Sequence, residues 1–224
     1  MAADAARERV LDEQIDWLMQ RAGAYRLFAR LFFCPLSDAD LDALTEALGG
    51  TGARADEAAG TFDEMARALR LRHSGTREEL AADFTGAFYG AITCEGRYAM
   101  PYESLFCGES GLLMGEARGE VSRALKAACM CVHEGLDLPE DHLSFIFELL
   151  ALLCTRRAEA LRAGDSEEAA RLAATQARLF ESHVSSWYDD FCALAGRVVQ
   201  TRFYRAVLRA CEELVAEERR LLVA

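Results

Sequence analysis

The sequence predicts an all-α protein. No segment alternates apolar and polar side chains with the two-residue period of a strand, whereas apolar residues recur at steps of three and four along much of the chain. Only three prolines occur, Pro35, Pro101 and Pro139, and each punctuates the pattern rather than sitting inside it. At 224 residues, 52% hydrophobic and 28% charged, the chain can bury one core, with room for a small helical appendage, and is neither disordered nor low-complexity.

From about Arg7 to Phe33, the series Leu11, Ile15, Leu18, Ala22, Tyr25, Ala29 and Phe32 marks one face of an amphipathic helix, which Pro35 closes. Ser37 or Asp38 caps a short second helix ending at Gly49-Gly50, and a Gly/Ala-rich linker runs to about Gly60. Phe62 to Leu71 reads as a third helix. Thr76 and Glu79 stand at capping-box spacing and open a fourth, which Gly90 ends. No period is sustained between Gly90 and Glu109, and a loop of that length inside a compact domain is usually functional.

Gly111 to His133 is helical again, with Gly135 after it. Asp137 or Leu138 caps the next helix, Asp137 and Glu140 standing at capping-box spacing with Pro139 in the first turn. That helix is apolar nearly all round from Leu143 to Cys154, so it is expected to be the central buried one. Asp165-Ser166 caps a further helix to about Ser185, a break precedes Trp187, and Val198 to about Leu222 closes the chain.

Charge narrows the partners. Lys and Arg number 25 against 37 Asp and Glu, a net charge of −12, which repels a phosphate backbone and leaves no nucleic-acid partner. The start lacks the apolar stretch of a signal peptide and no run is long enough for a membrane helix, so a cytoplasmic chain without stable membrane insertion is expected. Eight cysteines are scattered without a CxxC pair and read as reduced, mostly buried thiols; no metal or other cofactor is expected.

The four histidines, His73, His133, His142 and His183, form no catalytic or metal-binding pattern, and no enzyme activity is expected. One dense polar cluster, Leu138-Pro-Glu-Asp-His142, lies at the start of the apolar helix. A helix start favours a carboxylate at Asp141 and depresses the His142 pKa, giving an acceptor beside a neutral imidazole; the alternative is a plain cap and a surface histidine. An acid–base pair made of Asp141 and His142, as in a helical hydrolase, is disfavoured because adjacent helical residues diverge by about 100°. The loop supplies Tyr98, Pro101, Tyr102 and Phe106, with Phe88 and Tyr89 before it and Glu95, Glu103 and Glu109 around it. These suit either a groove for a peptide with apolar and basic side chains or packing of the loop on its own core.

Several segments, taken in order, resemble the TorD/DmsD-like chaperones that assist maturation of exported molybdenum oxidoreductases. They are Asp83-Phe-Thr-Gly-Ala-Phe-Tyr-Gly90, Met100-Pro-Tyr-Glu-Ser-Leu-Phe106, Leu138-Pro-Glu-Asp-His142, Phe180-Glu-Ser-His-Val-Ser-Ser-Trp187 and Phe203-Tyr204. The resemblance implies a single domain over residues 1–224 with about eight to ten helices. It also implies a partner: the precursor of a molybdopterin-dependent oxidoreductase, held by its twin-arginine leader, its body or both until cofactor is inserted. A related branch serves a non-exported nitrate-reductase-like subunit. Carried over by position, the leader site takes Pro139, Asp141 and His142, with Phe88, Tyr89, Tyr102 and Ser104 nearby. Leu138 stands where the family usually has Glu and Ala87 where it often has Leu, leaving Glu140 and Glu103 as replacement carboxylates. Family members exchange helices between protomers, so either a monomer or a helix-swapped dimer is expected.

Overall fold

The structure, a computed structural model, describes residues 2–49, 60–90, 96, 98–107, 115–131, 136 and 138–222. Among these residues the protein is all-α: α1 (Ala2–Phe33), α2 (Asp38–Gly49), α3 (Thr61–Arg70), α4 (Thr76–Phe88), α5 (Glu116–Ala127), α6 (Leu143–Arg162), α7 (Ser166–Phe180), α8 (Tyr188–Val198) and α9 (Arg202–Leu222). A 3₁₀ turn occupies Glu103–Leu105 and a π-helical turn Glu181–Ser185. None of the described helices is long and apolar enough to cross a membrane. Two compact units divide the chain, one of residues 1–30, 102–186 and 219–224, the other of residues 31–101 and 187–218.

The first unit is organised by α6. Leu143, Ile146, Phe147, Leu150 and Cys154 are wholly buried and Leu149 and Leu153 nearly so, as the all-round apolar pattern predicts. Tyr25 of α1 sets its ring 5.6 Å from that of Phe147, and Arg26 donates to Thr155 at 3.1 Å. Each such leucine or phenylalanine contributes about 1.5–3 kcal/mol by leaving water. α6 ends in a Schellman turn: Gly164, at φ 74°, donates to the Leu161 carbonyl and Asp165 to that of Ala160. The Asp165 carboxylate then caps α7 by accepting the Glu168 amide at 2.9 Å, as expected.

α5 is shorter than the sequence predicts. It starts at Glu116 and stops at Ala127, where Cys129 takes φ 57° and Met130 donates back to the Leu125 carbonyl. The same Schellman geometry ends this helix with cysteine in glycine's usual place, and Arg156 of α6 donates to the Ala128 carbonyl at 2.9 Å. Gly111 and Gly135, expected to bound the helix, lie outside the described residues.

The second unit has an aromatic core. Phe32 meets Phe88 edge-on at 5.4 Å and Phe191 at 5.6 Å, while Tyr204 lies 6.0 Å from Phe84 and 5.7 Å from Phe88. Edge-to-face pairs of this kind add about 0.5–1.5 kcal/mol to the burial itself. The start of α4 departs from the expected capping box. Thr76 is already helical, with Gly75 before it as the cap, and its hydroxyl accepts the His73 amide at 2.9 Å.

The end of the chain is two helices where the sequence predicts one from Val198. Val199 leaves α8 in extended conformation and α9 begins at Arg202. Asp83 of α4 fixes the break by accepting the Gln200 amide at 2.9 Å, the Thr201 amide at 2.8 Å and the Thr201 hydroxyl at 2.5 Å. Thr201 Oγ1 in turn accepts the Tyr204 amide at 3.3 Å as the cap of α9.

Cysteine burial also differs from expectation. Cys154 and Cys211 are buried, Cys34 and Cys192 half-buried, and Cys107, Cys129 and Cys131 exposed; none of these seven is in a disulfide. Burial pushes the Cys192 thiol up to about 12 and that of Cys211 well above its ordinary value, so these interior thiols are inert as nucleophiles. Cys94 lies outside the described residues.

Candidate functional site

The polar cluster singled out in the sequence does not begin a helix in the expected way. Pro139, Glu140 and Asp141 form a turn in which the His142 amide donates to the Pro139 carbonyl at 3.2 Å, and α6 starts only at Leu143. The cap is His142 itself: its Nδ1 accepts the Ser144 amide at 3.1 Å. Of the two expected caps, Leu138 is uninvolved and Asp137 lies outside the described residues. Asp141 points elsewhere, because its carboxylate serves the loop.

Four interactions bind that loop to the turn. Ser104 donates its amide to Asp141 Oδ2 at 2.9 Å, and Glu103 donates its own to the Asp141 carbonyl at 3.2 Å. Tyr102 and His142 form an isolated antiparallel bridge, and their rings meet edge-to-face with centroids 4.7 Å apart. Asp141 is 0% exposed, His142 4% and Tyr102 7%, so the contacts are dry and each hydrogen bond is correspondingly costly to lose. The reading of His142 as a surface residue is thereby corrected.

Burial alone depresses the His142 pKa to about 3, so the imidazole is neutral at physiological pH. A neutral ring with Nδ1 accepting carries its proton on Nε2. Asp141 Oδ1, Ser104 Oγ and Ser144 Oγ are buried without a hydrogen-bond partner among the described residues, so the cluster keeps one acceptor and two hydroxyls unengaged.

The two replacement carboxylates are already engaged. Glu103 is 4% exposed and its Oε2 lies 2.9 Å from His183 Nδ1. His183 reaches it from the π-helical turn Glu181–Ser185, whose wider winding departs from the helical register that the sequence pattern assumes. Arg219 secures that turn by donating to the Ser185 hydroxyl at 2.9 Å and carbonyl at 2.8 Å. Glu140 accepts Arg118 Nε at 2.5 Å and the Ser122 hydroxyl at 3.3 Å. Desolvation is the largest single influence and raises the carboxyl, but the hydrogen bonds from Arg118, its own backbone amide and Ser122, with the Arg118 charge, together outweigh it and hold the carboxyl below its ordinary value.

Tyr102, Glu103, Ser104, Pro139, Glu140, Asp141 and His142 therefore lie in one bonded cluster of the first unit. Phe88 and Tyr89 belong to the second unit, Phe88 within its aromatic core and Tyr89 57% exposed at the end of α4. The sequence reading missed two participants, Arg118 and His183, single residues whose partners stand far off in the chain. In the second unit it read Asp83 as part of a motif without its role as the clasp of the α8–α9 break. Among the described residues no group of three or more His, Cys, Asp or Glu could hold a metal ion.

Fold and site together define an all-α protein in which buried polar residues hold a loop on a helix start, and the histidine's acceptor nitrogen is spent on a backbone amide. The nitrate reductase delta subunit family matches residues 52–193, and the chain belongs to that family. It is 28% identical over 195 residues to chaperone protein TorD of Vibrio parahaemolyticus, covering 84% of this chain and 87% of that one. TorD of Shewanella pealeana is 26% identical over 201 residues, covering 84% and 83%, and TorD of a Vibrio cholerae strain 25% over 217 residues, covering 91% and 92%. The protein is thus a TorD-like chaperone and not an enzyme; at family level its place is in molybdoenzyme maturation.

Proposed function

We propose that the protein binds the twin-arginine leader, the body or both of the precursor of a molybdopterin-dependent oxidoreductase. It acts in the cytoplasm as one chaperone domain, assisting cofactor insertion and delaying export until the client has folded. The observation that carries the reading is the bonded pairing of Tyr102–Ser104 with Pro139–His142, since these are the two segments that the family resemblance assigns to the leader site. Asp141 and His142 are too buried to meet a client first, so their part is to fix the shape of the loop. The half-buried Phe106 and the guanidinium-paired Glu140 are the accessible edge. A leader with two arginines and an apolar stretch complements an edge of that kind and a chain of net charge −12.

Calorimetry with the synthetic leader of a molybdopterin oxidoreductase encoded beside this protein tests the reading. Micromolar or tighter affinity, about −8 kcal/mol, is expected, and no heat with any such leader would overturn it. The family's own description favours a second reading, a chaperone of a nitrate-reductase-like subunit that is not exported. Co-purification with a client that survives deletion of its leader would select that one.

A further inference from the structure

We infer that the groove between α3 and α9 is a docking site for an acidic polypeptide segment, separate from the loop on α6. Arg202, Arg205 and Arg209 follow one another at steps of three and four on α9, and Arg67 of α3 and Leu71 just after it line the same groove of about 350 Å³. All four arginines are exposed. Among the described residues Glu64 is the one carboxylate lining the groove, and it is paired with Arg209. Arg205 donates to the Val199 carbonyl at 3.4 Å, whereas neither Arg67 nor Arg202 is paired with another described residue. Four guanidinium groups against one carboxylate are gathered here in a chain of net charge −12.

Their placement runs against what a helix needs. Cations at a helix start oppose the macrodipole, yet α9 opens with arginine and has no acidic residue in its first turn. The backbone end is satisfied separately by Thr201, so the arginines contribute nothing to capping.

Geometry selects the occupant. Arg202 and Arg209 are separated by about 10 Å of helix axis, too far for one phosphate but suited to carboxylates spaced along a peptide. Guanidinium forks take carboxylates in bidentate fashion. Leu71, 64% exposed, offers an apolar contact beside them. The chain's overall negative charge does not cancel the attraction, since screening at physiological salt confines it to about 8 Å.

The test is fluorescence anisotropy of the full chain with a labelled peptide of alternating Glu and Ala carrying one central Leu, long enough to span the arginine row. Binding that weakens steeply with salt is expected, with at least a tenfold loss in the Arg67→Gln/Arg202→Gln double variant. Arg123→Gln on α5 should leave it unchanged. Circular dichroism establishes that the double variant is folded, and its undiminished leader binding would keep this site distinct from the α6 loop. Equal binding by the double variant, equal binding of a Lys-for-Glu peptide, or displacement of the peptide by stoichiometric pyrophosphate would each overturn the proposal.

Discussion

α6 and α7 pack side by side in one unit and begin in opposite ways. α7 has an exposed Asp165 cap with Glu167 and Glu168 in its first turn, the arrangement that best satisfies free amides and the dipole. α6 has no acidic residue in its first turn; a buried neutral histidine caps it, and the neighbouring carboxylate is turned away to hold Ser104. The first start stabilises its own helix. The second gives up the better cap to anchor a loop 37 residues earlier, so that the tip of the most buried helix becomes a fixed post for the candidate site.

Breaking the post should cost most. Asp141→Ala strands the buried Ser104 amide and is expected to lower unfolding free energy by about 3 kcal/mol in urea titration. A loss no larger than that of a surface substitution would show that the two starts are equivalent after all.

Acid should separate the two starts next. The His142 pKa is about 3 in the folded protein and about 6.5 unfolded, so between those values the unfolded chain binds the extra proton and stability falls as pH falls. From pH 7 to pH 5 the loss from this residue is about 2 kcal/mol. His142→Asn keeps a capping oxygen and cannot titrate, so the difference in pH slope between it and the parent chain isolates the effect. Parallel slopes would refute the buried neutral ring.

Asp165→Ala should cost only about 1 kcal/mol, that of an ordinary exposed cap, by the same urea measurement. Smallest, and opposite in sign, is Cys129→Gly. It relieves a left-handed cysteine and should raise stability by roughly 0.5–1 kcal/mol, visible as a higher melting temperature, while Cys129→Ala gives no gain.

What was readable in the sequence was whatever local pattern determines. Leu18, Ala22, Tyr25 and Phe32 are buried along α1 as their spacing requires, and Asp165 caps where a short polar residue precedes a helical run. Gly164 ends α6 in the left-handed conformation that glycine favours, whereas Cys129 hides the end of α5 because cysteine has no preference for that conformation. The start of α6 was misplaced for a different reason. Pro139 and Glu140 fit a helical first turn, but Asp141 is claimed by Ser104, and a long-range hydrogen bond leaves no trace in neighbouring residues. The pairing of Glu103 with His183 was hidden likewise, since it depends on a π turn that breaks the period used to read the helix.

That pairing joins residues 80 positions apart, which bears on when the site comes into being. During synthesis the segment around Glu103 emerges well before the helix that carries His183, and contacts so distant in sequence form late because a long loop must close first. That contact therefore forms only after α7 and the π turn that follows it have been made and packed. A chain cut before His183 would leave the buried Glu103 carboxylate without this partner, so the loop at Glu103–Leu105 owes part of its anchorage to a segment made much later.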